Sequence, residues 1–164
     1  MRDLLLALCS CLCLLGRAAE PIWSEDFEAT TGNVPPDALV QVPGHGRTVH
    51  VLVTPDTPGL GRTIALPLPL ETLKGKRLFL GAEVKTANVS PKPNPWNGVK
   101  AMLIIETPSG RSYPQPDIPD GSIEWRRFST SVVVPPSATN LLLVLGLEKV
   151  TGEAWFDNVR ITPR

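Results

Sequence analysis

The sequence predicts an all-β chain that folds as an antiparallel two-sheet β-sandwich or barrel. Three observations carry this. Apolar residues recur with a period of two in separate short runs, the runs are rich in Val, Ile and Leu, and proline and glycine punctuate the gaps between them. No stretch longer than about ten residues keeps a helical period without such an interruption.

The chain begins with a segment of a different kind. Arg2 precedes an apolar run from Leu4 to Leu15, and Gly16, Ala18 and Ala19 follow it. This is the layout of a secretory signal peptide over 1–18, too short for a transmembrane helix, with cleavage after Ala18. The expected mature chain, 19–164, is one domain and is secreted, either extracellular or periplasmic. Cys9, Cys11 and Cys13 all fall in the leader, which leaves no disulfide, thiolate zinc site or cysteine nucleophile. No other apolar segment reaches about 18 residues, so none is expected to span a membrane.

The strands follow in order. Val49, Val51 and Val53 share one face, with His50 and Leu52 opposite. Ile64, Leu66 and Leu68 repeat the period, as do Leu78, Leu80, Ala82 and Val84, with Phe79, Glu83 and Lys85 on the other side. Val99, Ala101, Leu103 and Ile105 form the next run, then Phe128, Thr130, Val132 and Val134, then Leu141, Leu143, Leu145 and Leu147. A last strand over 153–161 sets Trp155 and Phe156 on opposite faces. Turns fall at Pro35-Pro36, Pro43-Gly44, Pro58-Gly59, Lys74-Gly75, Asp120-Gly121, Pro135-Pro136 and Thr151-Gly152. Leu70–Leu73 has room for one helical turn. The longest irregular stretches, 89–97 and 113–121, are rich in proline, which stiffens a loop and lowers the entropy cost of presenting side chains.

Composition narrows the function. The 164 residues carry 16 Lys+Arg against 16 Asp+Glu, and a net charge of zero excludes the electrostatic footprint of a nucleic-acid binder. A hydrophobic content of 42% is too high for a disordered chain.

Four segments, in order, carry a family likeness: Ser24–Glu28 (SEDFE), Arg77–Val89 (RLFLGAEVKTANV), Ile123–Phe128 (IEWRRF) and Gly152–Ile161 (GEAWFDNVRI). Together they resemble the galactose-binding-like jelly roll, in particular carbohydrate-binding modules of the family 4/9/22 type. The resemblance covers most of 22–162. It implies a jelly-roll sandwich, non-catalytic binding of a poly- or oligosaccharide, and a structural Ca²⁺ at acidic positions that Glu28 and Asp157 match. Such modules accompany glycoside hydrolases, which implies as partner a separate secreted enzyme or a surface protein.

A sugar-binding face needs flat aromatics for pyranose rings, with amides and charged side chains in reach of the hydroxyls. Trp96, Asn97 and Lys100, beside Asn94, Tyr113 and Gln115, are the best candidates. Trp96 either stacks on a ligand or caps an open end of the sandwich by packing on Val99 or Leu70. Trp125 and Arg127, with Lys85, read as a second platform on an open sheet face, or as packing at a sheet edge. Trp155 and Trp23 read as packing residues of paired terminal strands. Asp157, on an otherwise apolar strand, needs a partner. If the termini pair, Glu25, Asp26 and Glu28 are its neighbours, and Asp26, Glu28 and Asp157 form a candidate oxygen-ligand set for Ca²⁺. The bland alternative is an Asp that caps a turn.

Catalysis has less support. His45 and His50 lack a third His or Cys to complete a zinc site. No G-x-S-x-G elbow or phosphate loop is present. Glu83 and Glu106, on strands expected to be neighbours, could form a carboxylate pair for glycoside hydrolysis, provided they face one cleft. The expected role is therefore carbohydrate binding on exposed aromatics. An extracellular protein-interaction or structural domain stands second and a small glycan-active enzyme third.

Overall fold

A computed structural model describes residues 20–29 and 33–164, so the expected signal peptide, 1–18, lies outside the described residues. Among the described residues there are ten strands: β1 (Trp23–Glu25), β2 (Leu39–Val42), β3 (Gly46–Val53), β4 (Gly61–Pro67), β5 (Arg77–Val89), β6 (Gly98–Thr107), β7 (Gly110–Ser112), β8 (Gly121–Val133), β9 (Asn140–Glu148) and β10 (Gly152–Pro163). One helical turn, α1 (Leu70–Leu73), joins β4 to β5.

The strands form a six-stranded sheet in the order β2-β3-β10-β5-β8, with β1 also on β10, and a four-stranded sheet in the order β4-β9-β6-β7. All pairings are antiparallel. The all-β two-sheet sandwich expected from the period of two is the observed architecture. β10 is the keystone: β5 runs along one side, while β3 and then β1 share the other.

The alternation written in the sequence sorts the faces. Val49, Val51, Leu80, Ala82, Val84 and Phe156 point inward from one sheet and meet Ile64, Leu66, Leu103, Ile105, Leu143 and Leu145 from the other, all buried. Burying each such large side chain contributes about 1.5–3 kcal/mol, which holds the sheets face to face. Phe27 is fully buried although its φ is 60°, and its N–H donates to Glu25 Oε1 at 2.9 Å. A left-handed Phe costs about 1–2 kcal/mol, a penalty its burial offsets.

Four elements differ from the expectation. β2 and β7 were not anticipated, because four residues, three half-buried and one exposed, and three exposed ones carry too short a pattern. β8 reaches back to Gly121, beyond both the apolar run that begins at Phe128 and the sheet-face position expected for Trp125, since its first half is largely polar on an edge of the sheet. β10 is interrupted between Asp157 and Arg160, where its register with β5 shifts and Asn158 takes a φ of 47°.

Candidate functional site

The outer face of the four-stranded sheet forms a cleft of about 520 Å³. Its floor comes from residues that alternate with the core: Met102 and Ile104 on β6, Val144 on β9, and Thr63 and Ala65 on β4. Val144 stands across from Met102, and Lys100 lies opposite Gly146. Gly146 has a φ of 150°, and a Cβ there would lie 2.2 Å from the Arg62 carbonyl oxygen, so only glycine lets β4 close on β9 at this point. Trp96, 63% exposed, and Tyr113, 52% exposed, complete the lining from the two proline-stiffened loops. A residue capping the sandwich would be buried, and Trp96 is not.

Beneath Trp96 sits a saturated polar network. Lys100 is only 2% exposed, and its ammonium donates to the Trp96 carbonyl, to Glu148 Oε2 at 2.9 Å and to Gln115 Oε1 at 3.3 Å. Three protons meet three acceptors, which is what a buried lysine requires. Asn97 donates to Glu148 Oε2 at 3.2 Å and accepts from Asn94 at 3.0 Å. Burial pushes the Glu148 carboxyl up, but the hydrogen bonds from Lys100 and Asn97, with the charges of Lys100 and Lys149, bring it below the usual carboxylate range. A second hollow of about 480 Å³, lined by Lys92, Asn94, Asn97, Gln115 and Asp117 among others, adjoins the cleft through Gln115.

A separate cluster lies on the outer face of the six-stranded sheet, on the other side of the molecule. His45, in the β2–β3 turn, places Nδ1 3.3 Å from Asp157 Oδ2 and 3.9 Å from Glu83 Oε2. The irregularity in β10 turns Asn158 to the same side, where its Nδ2 donates to both carboxylates at 3.1 Å. Trp125 stacks on the His45 ring at 4.0 Å between centroids, and Arg127 Nη1 reaches Glu83 Oε1 at 3.9 Å. Burial holds the Asp157 carboxyl above the usual range, against the hydrogen bonds from Asn158 and His45, and the Glu83 charge adds to the rise.

The residues expected to bind sugar are thus divided. Trp96, Lys100 and Tyr113 line the cleft, and Asn97 lies just under it. Trp125 and Arg127 face the opposite way. Lys100 and Asn97, expected as free donors to hydroxyls, are committed to the protein itself. Of the expected metal set, only Asp157 is in the acidic cluster. Asp26 Oδ1 accepts from the Glu28 N–H at 3.2 Å, and Glu28 Oε1 accepts from the Arg47 N–H at 2.9 Å. Glu83 and Glu106 sit on different sheets, with Glu106 paired to Arg111 at 2.7 Å, so the carboxylate pair considered for catalysis is not formed. Glu148, Met102 and Val144 were missed. The available signal was that 99–105 and 141–147 are apolar at nearly every position, so that both faces of β6 and β9 had to be covered or reserved.

No protein-family model and no curated protein sequence matches the chain. Solved structures do match, and they define the class: the fold is the jelly-roll β-sandwich of carbohydrate-binding modules. One is the family 22 module with its catalytic module from Clostridium thermocellum xylanase 10B, complexed with xylohexaose (TM-score 0.61, 15% identity, 89% of this chain and 29% of that chain). The C-terminal family 22 module of the same xylanase aligns with a TM-score of 0.59 at 15% identity over 87% of this chain and 92% of its own. A xylan-binding domain of family 22 aligns with a TM-score of 0.58 at 16% identity, covering 90% and 96%. The chain spans less than a third of the two-module xylanase chain and nearly all of the isolated modules.

Proposed function

We propose that the protein is a secreted, non-catalytic carbohydrate-binding domain that holds a polysaccharide strand across the outer face of its four-stranded sheet. The observation that carries this is the pair of exposed aromatics, Trp96 and Tyr113, lining a cleft with an apolar floor. The indole and phenol faces match the apolar faces of pyranose rings. Glu148, Gln115 and Thr63 offer acceptors and donors to ring hydroxyls. Lys100 and Glu148 cancel each other's charge, which suits an uncharged glycan, and the fold shared with xylan-binding modules supports the same ligand class. Shallow stacking of this kind gives weak, reversible attachment. That suits a domain which keeps a separate secreted enzyme or a surface protein near its polymer.

The test is tryptophan fluorescence of residues 19–164 titrated with soluble xylans, β-glucans and mannans. A saturable spectral shift that Trp96→Ala abolishes is the expected result. A folded protein that responds to none of these glycans overturns the proposal and leaves the protein-interaction reading.

A further inference from the structure

We propose that the cleft of the four-stranded sheet selects glycans whose sugar hydroxyls carry small neutral acyl groups, and that the substituent seats on the row formed by Met102, Val144 and Ala65. The inference rests on the reading of this cleft as a carbohydrate site and adds the class of glycan it takes.

The register of the sheet sorts its outer face into rows. Lys100 stands opposite Gly146, and Gly146 opposite Thr63. Met102 stands opposite Val144, and Val144 opposite Ala65. Ile104 stands opposite Leu142, and Leu142 opposite Pro67. Residues two apart on a strand share a face, so the three rows cross β6, β9 and β4 side by side. The first row is polar and runs through the Lys100 ammonium to Glu148 and Gln115. The side chains of the next two rows hold no oxygen or nitrogen. Met102 and Ile104 are half-buried and Ala65 is exposed, so this apolar strip is open to a ligand.

Such a floor suits a bare sugar poorly. A pyranose stacked through its apolar face on Trp96 or Tyr113 turns an edge toward the sheet, and the edges of an unsubstituted pyranose carry hydroxyls. Over the first row those hydroxyls find partners: the contacts from Lys100 and Asn97 to Glu148 all go to Oε2, which leaves Oε1 for the ligand. Over the second and third rows a hydroxyl gives up its water and gains no hydrogen bond, which opposes binding. An acetyl ester at that place reverses the sign, because its methyl group buries against Met102 and Val144. The charge in the cleft makes the substituent a neutral one. Among the described lining residues the only charged side chains are Lys100 and Glu148, which pair at 2.9 Å, so a uronate or a sulfate ester finds no free cation.

The experiment is calorimetric titration of 19–164 with short O-acetylated xylo- and manno-oligosaccharides, each before and after mild alkaline deacetylation. The expected result is about fourfold tighter binding of the acetylated form, the increment that burying one methyl group supplies. Met102→Gln keeps the side-chain length and sets an amide under the ester methyl, and Ala65→Ser adds a hydroxyl at an exposed position of the same row. Each brings the ratio of the two affinities toward one. The ratio is the readout because a variant that merely loosens the fold weakens both forms alike. Circular dichroism checks folding, and Ala65→Ser keeps the test open if Met102→Gln perturbs the sheet. Equal affinity for the two forms, or tighter binding of the deacetylated one, overturns the acyl preference and leaves the carbohydrate reading standing. A preference that both variants leave unchanged overturns its placement on this row. Binding of neither form by the folded protein overturns the preference and the carbohydrate reading together.

Discussion

Lys100→Met removes the ammonium under the Trp96 platform while keeping a side chain of similar length. In the native chain that ammonium latches the Trp96 carbonyl to β9 through Glu148 and to the Tyr113 loop through Gln115. Breaking a fully dry ion pair by removing one member costs about 3–5 kcal/mol. Glu148 is 45% exposed and keeps its hydrogen bond from Asn97, so water absorbs much of that penalty. The Trp96 carbonyl retains the Gln115 amide at 3.4 Å. The expected loss is therefore about 1–3 kcal/mol of stability, read by urea denaturation. Loosening the platform loop also raises the dissociation constant for the glycan about fivefold or more, since each ~1 kcal/mol of lost preorganisation is worth about that factor. The pH profile supplies an independent readout. A carboxyl held low in the folded state contributes stability that is present above its unfolded value of about 4.3 and lost as pH falls through the lower folded value. Lys100→Met shrinks that acid-side loss. A variant with native stability and native glycan affinity would refute the latch.

Three further outcomes follow from the same geometry. Trp96→Ala weakens glycan binding about tenfold or more by removing a stacking surface worth at least ~1.4 kcal/mol, whereas Trp125→Ala leaves it unchanged; calorimetric titration distinguishes the two. Gly146→Ala, whose methyl would meet the Arg62 carbonyl, destabilises the chain by about 1–3 kcal/mol or more and lowers the thermal midpoint. Asp157 is held high by burial, so its stabilising effect is complete below the unfolded aspartate value of about 3.9 and declines as pH rises through the higher folded value. Asp157→Asn flattens that decline in thermal melts taken across this range.

The fold was legible because the period of two marks which side of each strand is buried, and seven of the ten strands are long enough to show it. β2 and β7 are too short to display a period, and they exist because their neighbours present edges to pair with. The cleft was half legible. Trp96 and Tyr113 stood out as aromatics in polar, proline-rich loops, and exposure is what such placement produces. Lys100 was misassigned for a physical reason: a lysine read along a sequence looks like a free donor, and only the packing shows that three acceptors already hold it. The His45–Glu83–Asp157 cluster was illegible because its members come from three distant segments that only the sheet order β3-β10-β5 brings together.

The chain has four tryptophans, Trp23, Trp96, Trp125 and Trp155, and each contributes one indole N–H signal to a proton–nitrogen correlation spectrum. Titrating labelled 19–164 with a soluble xylo-oligosaccharide reads all four at once. A saturable shift of the Trp96 signal, with those of Trp23, Trp125 and Trp155 left in place, is the predicted result and puts the sugar in the cleft of the four-stranded sheet. A shift confined to Trp125 or Trp155 would put the ligand on the opposite face and contradict the assignment of the cleft as the binding site.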